Sequence, residues 1–170
     1  MKSSRSHIWK KVFNGLAIPY LLISIWLLFL YPGGYLSHID RLGRYEGGFH
    51  VHLIPFDTII AYGKDLINPI NPGDLKEAII NLFGNIALFI PLGFLIPFWG
   101  KWPDLKPRRL LWFAALCLGV ELFQYGLGVG NFDIDDVILN IIGLWIGAQI
   151  YFFLERKIGL APTLSPQQAE

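Results

Sequence analysis

Residues 132–147 read FDIDDVILNIIGLWIG, and the fold turns on how they are understood. Asp133, Asp135 and Asp136 run directly into an apolar segment that is broken one turn later by Asn140. The acids either open a soluble helix or stand at the lip of a membrane span. Composition favours the membrane. Of 170 residues, 54% are hydrophobic and 16% are charged, with a mean hydropathy of +0.47. A soluble domain commonly carries charge on roughly 25% of its residues. The net charge of +1 says little, because the placement of the charges carries the information.

The apolar excess is gathered into four blocks, near 12–31, 78–99, 110–128 and 137–154. Each has the roughly 17–25 residues that a helix needs to cross a bilayer. The first block follows Lys2, Arg5, Lys10 and Lys11, as a secretory leader would. Its core exceeds the usual leader length and no small-x-small cleavage site follows, so it reads as an uncleaved span. YPGGYLSHID then reads as an aromatic and proline exit from the membrane.

Basic residues orient the chain. They cluster before the first block, in the short loop between the second and third (Lys101, Lys106, Arg108, Arg109) and after the fourth (Arg156, Lys157). By the positive-inside rule, these segments and both termini are cytoplasmic. The expected fold is an all-α integral membrane protein, a four-transmembrane-helix bundle with a long first extracytoplasmic loop. It comprises a basic segment 1–11, one membrane domain 12–154 with the outer loop at 32–77, and a cytoplasmic tail 155–170 expected to be disordered. The expected location is the plasma membrane, with multiple passes.

Local signals refine this frame. INPINPGD is turn chemistry, and Asp74 with Glu77 has the spacing of a capping box opening the second span. Pro91 and Pro97 lie within that span, where a bundle tolerates them because neighbouring groups satisfy the freed carbonyls. Gly143 and Gly147 form a small-xxx-small pair suited to close helix contact. The lone Cys117 excludes an internal disulfide. No internal repeat is present.

Placed on this topology, the polar residues collect at one depth. Asn81 and Asn85 lie one turn apart in the outer half of span two, and Glu121 with Gln124 in the outer half of span three. Asp135, Asp136 and Asn140 stand at the outer start of span four. The inner halves are almost purely apolar. Each residue also has a plainer reading. Acids at a helix start cap it and complement its dipole, which would account for Asp133. The asparagines would serve as interhelical glue. A carboxyl within a span must face the bundle interior or a wet cavity, which makes Glu121 the hardest to dismiss.

The outer loop adds EGGFHVHLIPF. In an extended segment His50 and His52 point to one side, and with Asp136 they form the weaker case for a divalent metal. No HExxH accompanies them, so no metal or other cofactor is expected. The alternative is a re-entrant interfacial stretch, FHVHLIPF, dipping into the headgroup layer. DIDD lacks the glycine and twelfth-position glutamate of a calcium loop. No phosphate-binding glycine loop, serine nucleophile elbow or nucleic-acid patch is present.

Taken in order, HLIPFDTI, NLFGNIALFIPLGFLIP, GVELFQY and FDIDDVILNIIGLWIG resemble the VanZ-like family. The resemblance covers about Val51 to Gly147. Two positions depart from the family's pattern: His52 stands where asparagine is usual, and Val129–Asn131 replaces an arginine often found before FDIDD. The resemblance implies a link to low-level resistance to teicoplanin, a glycopeptide with a fatty-acyl tail. It also implies shared polar positions at Asn85, Glu121, Gln124, Asp133, Asp135, Asp136 and Asn140.

Two functional readings stay open. In the first, those residues and His52 bind a membrane lipid, a lipid-linked amphiphile or a lipid-tailed glycopeptide antibiotic in a pocket facing the outer leaflet. In the second, Glu121, Asp135 and Asp136 are the catalytic groups of an enzyme acting on a lipid or lipid-linked cell-wall precursor, with a metal assisting. A helix-packing role within a larger envelope complex is the bland third. The oligomeric state is left open.

Overall fold

The computed structural model describes residues 2–30, 51–71, 73–100, 107–127 and 130–158. His50, most of the first loop, the loop at 101–106 and the tail from 159 lie outside the described residues. The chain is mostly helical. In order come α1 (Lys2–Ile25), continued by a π-helical turn over Trp26–Leu30, β1 (Val51–His52), and α2 (Asp57–Ile67). Next are α3 (Asp74–Ile79), a second π turn at Ile80–Gly84, α4 (Asn85–Gly100), α5 (Pro107–Leu127), β2 (Phe132–Asp133) and α6 (Ile134–Ile158).

Four helices are long and apolar enough to cross a membrane: Lys11–Leu30, Asp74–Trp99, Leu110–Leu127 and Ile134–Lys157. The shortest has 18 residues, about 27 Å at the helical rise. Their outward faces are unshielded. Leu16, Ile18, Leu22, Leu111, Trp112 and Phe153 are among many large apolar side chains left exposed. A belt of that kind belongs in lipid or against a partner.

Lipid tails are as apolar as leucine, so the helices must be held by close packing and hydrogen bonds. The tightest seam lies between α4 and α6. A Cβ on Gly143 would collide with the Ile86 carbonyl, and one on Gly147 with the Ile90 carbonyl. From the other side, a Cβ on Gly93 would overlap the Leu144 backbone. Partners advance together, Ile86 to Ile90 as Gly143 to Gly147, so the two helices run parallel. The small-residue pair therefore serves contact with the second span.

The apolar half of the bundle is filled by Phe89, Phe113, Cys117, Leu144, Ala148 and Tyr151. Aromatic rings tie α1 to it. Phe13 lies 5.0 Å from Phe94 and 5.2 Å from Phe98, and Phe94 lies 5.6 Å from Tyr151. α4 runs unbroken through Pro91 and Pro97. Within the turn that Pro91 interrupts, the Leu88 carbonyl accepts a hydrogen bond from the Tyr20 hydroxyl at 2.7 Å.

Two features differ from the expectation. The segment read as outer loop contains α2, and β1 pairs in parallel with β2, Val51 opposite Phe132 and His52 opposite Asp133. The second span opens one residue earlier than expected, with Gly73 rather than Asp74 in the N-cap position. Helix α3 already begins at Asp74, whose carboxylate accepts hydrogen bonds from the Ile70 and Asn71 amides at 2.9 and 2.7 Å. It thereby braces the preceding turn.

Candidate functional site

The polar end of the bundle is built around the start of α6. Asp133 occupies the residue before the helix, and its Oδ1 accepts the Asp135 amide at 2.8 Å. This is N-capping, which satisfies an amide that the helix cannot. Its Oδ2 accepts the Thr58 hydroxyl at 2.7 Å. Both oxygens of Asp133 are thus committed.

Asp135 is fully buried, and it too is committed. Its Oδ1 accepts the Phe56 amide at 2.6 Å and its Oδ2 the Ile59 amide at 3.0 Å. These are amides of the first turn of α2, left unpaired within that helix. An anionic carboxylate there also meets the positive end of the helix dipole. Phe56 itself has φ 68°, the left-handed conformation that a non-glycine residue adopts only when its surroundings impose it. One carboxylate therefore anchors α2, from 76 or more residues away, to the mouth of the bundle.

Asp136 and Asn140 lie one turn apart on α6 and face the other helices. Asp136 Oδ1 accepts Asn85 Nδ2 from α4 at 2.6 Å. Asn140, buried to 1% exposure, donates from Nδ2 to Glu121 Oε1 on α5 at 3.4 Å. Its Oδ1 has no hydrogen-bond partner. Gln124, one turn beyond Glu121, donates to the Leu28 carbonyl in the π turn that continues α1, at 2.8 Å. Among the described residues, the carboxyls of Asp133 and Asp135 lie close enough for their charge to act on Asp136, and those of Asp133 and Asp136 on Glu121.

The predicted polar residues thus separate by how much capacity they retain. Asp133 and Asp135 are saturated by protein groups. Asp136, partly exposed, keeps Oδ2 uncommitted and Asn140 keeps Oδ1, whereas Glu121 takes both the Asn140 amide and the Asp133 backbone N–H. Asn81 bonds the Glu77 carbonyl one turn earlier at 2.8 Å. His52 stands opposite Asp133 in the two-residue ladder. Among the described residues, no group of three or more His, Cys, Asp or Glu side chains is arranged to hold a metal ion.

Three contributors escaped the sequence reading. Thr58 and the amides of α2 were the first. Asp57 and Thr58 after Pro55, followed by apolar Ile59, Tyr62 and Leu66, were a legible helix start. The π turns were the second. One ends immediately before Asn85, and the other includes Leu28, whose carbonyl Gln124 takes. Such turns free carbonyls and re-aim side chains, and they have no sequence signature. The third was an open apolar groove of about 320 Å³ lined by Phe29, Ala115, Leu116, Gly119, Val120 and Phe123.

Four apolar helices with carboxyls and amides drawn together at one end define a small protein of the membrane-spanning class. The chain belongs to the VanZ/LLP1 family, whose model matches residues 17–155. It is similar to Protein VanZ of Enterococcus faecium, 29% identical over 139 residues that cover 81% of this chain and 72% of that protein. No solved structure matches it.

Proposed function

We propose that this chain is a multi-pass plasma-membrane protein whose polar mouth binds a lipid or lipid-tailed molecule at the outer leaflet. It thereby contributes to teicoplanin-type resistance or to envelope lipid homeostasis. Both termini are cytoplasmic and the α2 end faces outward. The clustering of Lys and Arg in the other loops supports that orientation.

The observation that carries the reading is the pairing of Asp136 with Asn85 beside Asn140 and Glu121. Polar capacity remains unspent there, at the boundary of four apolar helices. Groups left partly unsatisfied at a membrane mouth are expensive unless something meets them. The apolar groove along α5 gives an acyl tail a place to lie, and it reaches Val120 and Phe123, the sequence neighbours of Glu121 and Gln124. In this reading Asp136, Asn85, Asn140 and Glu121 meet the headgroup. Asp133 and Asp135 hold α2 over the mouth.

The test is susceptibility to teicoplanin in a Gram-positive host, with vancomycin as the tailless control. Wild type, Asp136→Asn and Glu121→Gln are compared at matched membrane levels. Selective protection by wild type that both variants lose is the expected result. Equal protection by all three would reduce the cluster to scaffold.

A further inference from the structure

Among the described residues, the cluster leaves acceptor oxygens uncommitted. Asp136 has one oxygen bonded by Asn85 and one left over, and Glu121 has one oxygen facing the Asn140 amide. Asn140 Oδ1 is buried and unpartnered. The amide is turned with its Nδ2 on Glu121 Oε1, which leaves Oδ1 as its free end. Among the described residues, the charges near Asp136 are those of Asp133 and Asp135, already held by Thr58 and the α2 amides. None of these four carboxyls makes an ion pair with a described residue. His52 is placed opposite the saturated Asp133 by the two-residue ladder.

Free oxygens among carboxyls call for a ligand that brings donors, and beside Asp133 and Asp135 a positive charge is favoured over a negative one. A group bringing several donors and a positive charge meets both demands. An alkylammonium has three donors and no acceptor. We propose that Asp136, Asn140 and Glu121, with Asn85 positioning Asp136, bind the primary ammonium of an amphiphile's headgroup. The inference rests on the amphiphile reading above and narrows it to amine-bearing ligands. Asp136 receives the ammonium at the exposed side, and Asn140 Oδ1 accepts one N–H from within. A quaternary ammonium carries the same charge without an N–H, so it leaves Asn140 Oδ1 unmet.

The experiment uses full-length protein in detergent and measures binding of dioctanoyl phosphatidylethanolamine, its mono- and dimethyl derivatives, dioctanoyl phosphatidylcholine and dioctanoyl phosphatidylglycerol. Affinity is expected to fall along the methylation series, by about tenfold or more from the primary to the quaternary amine, as for one charge-assisted hydrogen bond. Asp136→Asn, a near-isosteric change at a partly exposed position, is expected to remove the preference while retaining the fold. The methylation series tests the wild type alone, so the outcome does not depend on that variant folding. Ethanolamine without tails is expected to compete only at far higher concentration, and competition at equal concentration would overturn the assignment to an amphiphile. Equal binding of all five lipids would overturn the ammonium assignment and leave the amphiphile reading standing. Binding of none would remove both.

Discussion

The Asp135 carboxylate holds the Phe56 amide at 2.6 Å across 79 residues of sequence, and with it the first turn of α2. That bond joins the segment after the first span to the start of the last. Asp135→Asn replaces one acceptor with an NH2 facing an N–H donor. A hydrogen bond to a charged group is worth about 1.5–3 kcal/mol, so stability falls by that order. Limited proteolysis is the sensitive readout, with cleavage near α2 appearing in the variant before the bundle unfolds. Unchanged protection of α2 would show that the carboxylate does not anchor it.

Thr58→Val tests the second strut. It removes the hydroxyl that Asp133 accepts but leaves Asp133 capping α6. The expected loss is about 1 kcal/mol, smaller than for Asp135→Asn. Thermal unfolding of the two variants side by side gives the ranking.

Phe56 holds a positive φ without being glycine. Its side chain is 54% exposed, so little packing is lost on removal. Phe56→Gly should be neutral or stabilising. Phe56→Val, β-branched and poorly suited to that region, should destabilise by about 1–2 kcal/mol. The opposite order in unfolding midpoint would rule out the strained turn.

The α4–α6 seam predicts a sharp contrast among glycines. Gly147→Ala places a methyl into the Ile90 carbonyl, with the Phe94 nitrogen 2.7 Å away, whereas a Cβ on Gly126 meets nothing within 4 Å. Overpacking of this kind costs about 1–3 kcal/mol. Gly147→Ala should lower the thermal midpoint, and Gly126→Ala should leave it unchanged.

Ile70, at 88% exposure, marks the α2 side of the protein. In intact cells, Ile70→Cys is expected to react with a membrane-impermeant maleimide and Glu155→Cys only after permeabilisation. The native Cys117 is buried and serves as the silent background. Reversed labelling would invert the topology.

Residues alone determined that four helices of spanning length exist, that Gly143 and Gly147 suit close contact, and that polar groups share one depth. Those conclusions need only composition, helical periodicity and the thickness of a bilayer. Only the tertiary structure decided which acids are free. Asp133, Asp135 and Asp136 are nearly equivalent in sequence. The first two are saturated by Thr58 and the amides of a helix some 75 residues earlier, while Asp136 keeps an oxygen uncommitted. The reason is physical. A carboxylate's role depends on which donors reach it, and here they arrive from α2, from α4 and through turns of π geometry that no local pattern announces.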